Sequence, residues 1–281
     1  MIPALDEVIG GLAEGAMTVF TGKPGNGKST LAGQLLLNAI EQGHSVCAYS
    51  GELTKEKFQE WINLQAAGSE YIGLKYDSVR DIRVPCIPYA VQERLLDYYR
   101  DRFYLFDNQE IFEANQSESI LKVFQLAARR YGCKLFLADN LMTALSDSDE
   151  ETKAQGKFAT ALKKFATRYH VHVLLVAHPR KGKVGEKLGQ DDIGGSSATI
   201  RLADSAIVVE RPNLRILKNR EGGVCKLIEC CYCPDSRRIY QADKGDLNRF
   251  SWDKTGITPP NPRADSLPDY AVRMAEAPQP F

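Results

Sequence analysis

The sequence predicts an α/β fold, a mostly parallel sheet with helices on both faces and antiparallel hairpins at its C-terminal side. Three observations predict it. Short apolar runs alternate with helical periodicity between residues 17 and 177. The first of these runs leads through Gly22-Lys23-Pro24-Gly25-Asn26-Gly27-Lys28-Ser29 into a helix. Beyond the loop at 179–195 the texture changes to short strands separated by turn residues.

Residues 17–21 form a short apolar strand, and 29–42 read as a helix with Leu31, Leu35 and Ala39 on one face and Gly43 as its terminator. Residues 46–50 are the next strand, expected beside the first one in the sheet, and a helix through Phe58 and Trp61 follows. From there to about residue 102 the pattern assigns nothing firmly. Residues 103–106 are a strand. Residues 117–131 form a helix with Ile120, Val123, Phe124 and Ala127 on one side, closed by Gly132. A buried strand at 134–139, a helix at 151–169 carrying Phe158, Leu162 and Phe165, and a strand at 171–177 complete the alternation. The strands 206–209, 215–218, 225–233 and 238–240 follow, with Glu221-Gly222-Gly223 as a hairpin turn. Residues 1–254 thus make one domain. Residues 255–281, with Pro259, Pro260, Pro262, Pro278 and Pro280, read as a mostly unstructured tail.

Composition narrows the function classes. Lysine plus arginine equals aspartate plus glutamate at 36 each, so no overall field draws the chain onto a polyanion, and any such site is a local basic patch. Neither a long apolar run nor a signal-like N-terminus is present, which predicts a cytoplasmic protein without a membrane span. Seven scattered cysteines fit reduced thiols. On one continuous strand, Cys225, Cys231 and Cys233 would share a face and Cys230 would oppose them, a poor arrangement for a tetrahedral metal site. The first core elements begin almost at Met1, as in the C-terminal portion of a longer protein.

The glycine-rich loop carries the chemistry. Glycines let its backbone curl so that successive N–H groups face phosphates, Lys28 reaches the β and γ phosphates, and Ser29 binds magnesium. Gly22, Pro24, Gly25, Asn26, Gly27, Lys28, Ser29 and Thr30 therefore form a candidate nucleoside triphosphate site, for ATP or another NTP or dNTP with Mg2+. Asp139, ending the apolar run Leu135-Phe136-Leu137-Ala138, is the candidate second metal carboxylate, the alternative being a helix-capping aspartate. Glu52, just past the strand at 46–50, is a candidate base for the attacking water or a solvated first-turn residue. His178 is a candidate γ-phosphate sensor or a histidine satisfied in a loop.

Five segments stand in a particular order: Gly51-Glu52-Leu53, Ala138-Asp139-Asn140-Leu141, Ala177-His178-Pro179-Arg180-Lys181, Asp192-Ile193-Gly194-Gly195-Ser196 and Leu217-Lys218-Asn219-Arg220. From residue 2 to about 240 the chain resembles the RecA-like ATPase domain of the hexameric replicative helicases of the DnaB superfamily, most of all the Twinkle and T-odd phage primase-helicase branch. The resemblance implies a RecA-like P-loop NTPase core acting as a DNA-dependent ATPase. Glu52 matches the catalytic glutamate, Asp139 the Walker B acid and His178 the phosphate sensor. Lys218 and Arg220 match the pair that reaches the neighbouring subunit's nucleotide as an arginine finger. Arg211 and Tyr232 match the residues that sandwich the nucleobase.

The basic loop with Arg180, Lys181, Lys183 and Lys187 falls where such rings contact single-stranded DNA by its backbone, although by charge alone it is a solvated loop. The implied partners are single-stranded DNA, further copies of the chain in a hexameric ring, and an upstream primase or helical domain with its linker helix; the last two are not among these residues. Two other readings share the core: a RecA or RadA-like recombination ATPase, which forms filaments, and a nucleotide-binding adaptor or loader that unwinds nothing.

Overall fold

The computed structural model describes residues 2–106, 116–139, 149–177 and 197–253. His178, Arg180, Lys181, Lys183, Lys187 and the proline-rich stretch from 255 onward lie outside them. Among the described residues no helix is long and apolar enough to cross a membrane.

The elements in chain order are α1 (Pro3–Ile9), β1 (Met17–Thr21), α2 (Lys28–Glu41), β2 (Val46–Ser50), α3 (Lys55–Ala67), β3 (Gly73–Asp77), β4 (Ile82–Cys86), α4 (Tyr89–Tyr99), β5 (Phe103–Phe106) and α5 (Gln116–Arg130). They continue with β6 (Leu135–Asp139), α6 (Asp149–Tyr169), β7 (His172–Val176), α7 (Ser197–Leu202), β8 (Ser205–Glu210), β9 (Asn213–Asn219), β10 (Leu227–Ile228), β11 (Cys230–Cys233) and β12 (Arg238–Gln241). The main sheet has eight strands in the order β10-β9-β8-β1-β7-β6-β2-β5. From β8 to β5 all neighbours are parallel, and β9 and β10 add antiparallel pairs at one edge.

Strand alternation divides the core. Phe20, Val46, Ala48, Leu135, Leu137, Leu174 and Val176 point to the face covered by α2, α3 and α4, where Leu31, Leu36, Phe58, Ile62, Val91 and Leu95 meet them. Met17, Val19, Cys47, Tyr49, Phe136, Val173 and Leu175 point the other way, onto Ile120 and Phe124 of α5 and Phe158, Leu162 and Phe165 of α6. Both faces are buried, which is why these strands read as continuous apolar runs. At the end of α2, Gly43 takes φ +87° so that its own N–H and that of His44 close onto Ile40 and Ala39 carbonyls, the stop expected of a glycine there.

Three expectations are corrected. β2 does not neighbour β1: β7 and β6 lie between them, and β2 pairs with β6 instead. The run 225–233 is not one strand, because it breaks between β10, in the main sheet, and β11, which forms a separate ribbon with β12. Cys225 is exposed outside any strand, while Cys231 and Cys233 share one face of β11. No group of three metal-ligating side chains forms among the described residues. The third concerns the unassigned stretch before residue 102, which folds as the β3–β4 hairpin followed by α4. That hairpin stands apart from the main sheet with Leu74, Tyr76 and Ile82 exposed, so it has no buried side to impose an alternating pattern.

β7 begins with a histidine that is 4% exposed. A carbonyl only accepts, so Nδ1–H of His172 donates to the Ala13 carbonyl at 2.8 Å and Nε2 accepts from the Thr18 hydroxyl at 3.1 Å. Burial holds this neutral form and pushes the imidazole down to about 4. The unfolded chain binds the proton first on acidification, so His172 withdraws stability as pH falls from about 6.5 to about 4, by roughly 3 kcal/mol in full. Asp139 acts oppositely, since burial raises its carboxyl to about 6, and stability falls as pH rises from the ordinary aspartate range toward that value. The two partly cancel in the wild type. The expected outcome is that His172→Gln, compared with wild type by thermal melting, gains relative stability at about pH 4.5 over about pH 7.5; an equal difference at both values contradicts it.

The candidate nucleotide site

The loop between β1 and α2 leaves the sheet at the C-terminal ends of the parallel strands, where helix N-termini and open backbone collect. Gly22 has φ +142°, and a Cβ there would run into the Val209 carbonyl. The backbone of the loop thus lies directly on the end of β8. Asn26 fastens the other side, donating from Nδ2 to the same carbonyl at 3.0 Å. Its side chain is occupied in shaping the loop, so what it offers a phosphate is backbone. Gly25 and Gly27 take φ +77° and +92° and turn the chain into α2. We expect Gly22→Ala to cost about 2–3 kcal/mol, an overpacking penalty with added backbone strain. A chemical denaturation midpoint matching wild type contradicts it.

Lys28 opens α2 and is buried at 6% exposure. Its Nζ donates to the carbonyls of Gly22, at 3.0 Å, and Lys23, at 3.2 Å. Burial lowers its pKa, opposed by the charges of Glu52 and Asp139. An ammonium held on loop carbonyls beside two acids is poised for a stronger anion.

Asp139 ends β6 at 1% exposure, and neither carboxylate oxygen has a hydrogen-bond partner. Burial is the main reason its pKa rises, and Glu52 adds to the rise, while Ser29 and Lys28 oppose it. Ser29 is thus close enough to favour the carboxylate without standing in hydrogen-bond geometry. An orphaned buried carboxylate is costly unless a cation meets it. With the Ser29 hydroxyl it offers the oxygen donors that suit magnesium, a cation commonly held by one or two protein ligands and substrate phosphates. The donor set therefore fits Mg2+. Thr30 is buried and its carbonyl accepts from Gln65 Nε2 at 2.7 Å, which ties α2 to α3.

Glu52 reaches this site by a different route from the expected one. Ser50 is the register partner of Asp139, and the Gly51 N–H donates to the Asp139 carbonyl at 3.0 Å. The chain therefore turns over the end of β6, placing exposed Glu52 where its charge acts on both Asp139 and Lys28. The pairing of β2 with β6 is what assembles the two acids.

Lys218 and Arg220 lie elsewhere. Ser205 is aligned with Thr18 near the start of β1 and with Asn219 across β9, whereas the phosphate loop follows Thr21 at the other end. The pair is therefore at the N-terminal ends of the parallel strands, away from this chain's own loop. Lys218 Nζ donates to the carbonyls of Ile200 at 2.7 Å and Arg201 at 2.9 Å. Arg220 donates to the Arg201 carbonyl at 2.7 Å and pairs with Asp204 at 3.3 Å. Asp204 also holds Lys163 at 2.6 Å and the Met17 N–H at 2.8 Å. Burial raises its pKa, but these partners together bring it below the usual range.

Arg211 and Tyr232 do come together, with the guanidinium 4.7 Å from the ring centroid. They are stacked on each other rather than spread as jaws, because a base between them needs about 7 Å, two van der Waals spacings. Their cleft adjoins the phosphate loop: a Cβ on Gly27 would lie 3.8 Å from Arg211 Cδ and 3.7 Å from Ile239, the register partner of Tyr232. Sequence reasoning missed two residues here, Trp61 and Arg237, whose guanidinium sits 4.2 Å over the indole. Their only sequence signal, an arginine before a short strand, is too common to notice.

Solved structures share this architecture. The separately solved ATPase domain of a DnaB-like helicase superposes with a TM-score of 0.67 at 15% identity, covering 85% of this chain and 89% of that one. A DnaB-like replicative helicase, solved in a study of its interactions with primase, superposes at 0.65 and 14% identity, covering 85% of this chain and 60% of its own. These likenesses establish a RecA-like fold in common with DnaB-like helicase ATPase domains. A family model described as the AAA domain matches residues 1–184, more than half of the sequence, and with its phosphate loop built as found here the chain belongs to that AAA domain family.

Proposed function

We propose that this chain is the motor domain of a ring-forming replicative DNA helicase of the Twinkle and T-odd phage type, driven by ATP or another nucleoside triphosphate with Mg2+. The observation that supports it best is the division of the catalytic groups between opposite ends of the sheet. Lys28, Ser29, Glu52 and Asp139 gather at one end, and Lys218 and Arg220 at the other. A charge-stabilising cation at the far end cannot serve its own loop, but it can serve a neighbour's in a closed ring.

In this mechanism Ser29 and Asp139 hold magnesium, which neutralises developing phosphate charge. Lys28 leaves its loop carbonyls for the β and γ phosphates. Glu52 takes the proton of the attacking water, and His178 senses the γ-phosphate. Arg211 and Tyr232 part to admit the base. Arg180, Lys181, Lys183 and Lys187 hold the DNA backbone, so hydrolysis moves single-stranded DNA through the ring.

The experiment is nucleotide turnover with and without single-stranded DNA, beside mass measurement of the assembly with a nonhydrolysable analogue. DNA-stimulated turnover by six-membered assemblies supports the proposal. Helical filaments indicate a recombination ATPase, and slow, DNA-indifferent turnover by a monomer indicates an adaptor.

A further inference from the structure

The cleft beside the phosphate loop is lined by Arg211, Pro212, Tyr232, Pro234 and Arg237. Its two guanidiniums are unlike the neighbouring Arg238, which is buried and donates to the Gln65, Ala66 and Asn248 carbonyls and to Asp246. Arg211 and Arg237 have only aromatic partners, Tyr232 and Trp61, and no hydrogen-bond or ion-pair acceptor among the described residues. Each ring supports a guanidinium by cation–π attraction and leaves its N–H fork unspent. A cleft with two such forks is built for a ligand that brings acceptors.

The two arginines are not equivalent. Arg211 belongs to a stack with Tyr232, so a base entering there lies face-on to one or both of them. Arg237 stands off that stack on a separate indole, at the turn between β11 and β12, and meets the base at its rim. A guanidinium only donates. Guanine offers O6 and N7 as acceptors and thymine or uracil offers O4, whereas adenine and cytosine carry donor amino groups at the corresponding positions.

We propose that Arg237, set by Trp61, reads the rim of the bound nucleobase and makes the site selective for keto bases, guanine and thymine or uracil, over the amino bases adenine and cytosine. This rests on the reading of the phosphate loop as a nucleoside triphosphate site and adds the class of base that it takes.

The test is competition binding of GTP, dTTP, ATP and CTP to the whole chain with Mg2+, for wild type, Arg237→Lys and Arg237→Ala. Wild type is expected to bind GTP and dTTP about 5- to 150-fold more tightly than ATP and CTP, the range of one good guanidinium-to-base contact. Arg237→Ala brings the ratio to about 1. Arg237→Lys keeps the charge and stem but not the fork and brings it most of the way, and it decides the matter if the alanine variant does not fold. Equal affinity for all four in wild type, or a preference that survives both substitutions, overturns the inference and leaves the triphosphate site standing. Binding of none of the four overturns the site itself.

Discussion

Replacing Glu52 with glutamine is expected to lower triphosphate hydrolysis by about 10²- to 10⁴-fold, the contribution of a general base, while nucleotide still binds. Glutamine keeps the size of the side chain and its place on the turn after β2, but it cannot take a proton. The position is exposed, so the fold has little at stake. Lys28 and Asp139, the two groups on which its charge acts, stay in place. Single-turnover hydrolysis measured beside equilibrium nucleotide binding separates the two effects. Unchanged hydrolysis removes Glu52 from the mechanism; hydrolysis and binding lost together make it a binding residue.

The second large effect belongs to Arg220. Its substitution by alanine is expected to lower DNA-stimulated turnover by about 10³- to 10⁵-fold, as for other arginine fingers. In the lone protomer this guanidinium rests on Asp204 and the Arg201 carbonyl, at the far end of the sheet from its own loop. A role between subunits predicts complementation. Arg220→Ala protomers keep a whole phosphate site, and Lys28→Ala protomers keep the finger, so mixed assemblies regain turnover that neither has alone. Mixtures as inactive as their parts confine Arg220 to its own chain, and full activity in the single variant excludes it altogether.

Much of the fold was legible because most core strands are buried on both faces and most helices on one. Leu31, Leu35 and Ala39 mark α2, and Phe158, Leu162 and Phe165 mark α6, whatever they pack against. The phosphate loop was legible for a local reason too: its glycines have to take positive φ, and Lys28 has to follow them. The hairpin at β3 and β4 was not legible, since a ribbon exposed on both sides leaves no periodic trace. Nor was the break between β10 and β11, where one apparent strand serves two sheets.

The sequence by itself determined the phosphate loop, the strand that ends in Asp139, and the alternation that makes the sheet parallel, because each depends on neighbours a few residues away. Only the tertiary structure decided that β2 lies against β6, bringing Glu52 over Asp139 instead of beside the loop strand. It also decided that Trp61 and Arg237 meet from distant parts of the chain, and that Arg220 faces away from the nucleotide site of its own protomer. Strand order and the ends of antiparallel pairs are set by which apolar faces close the whole core, and no local pattern records that choice.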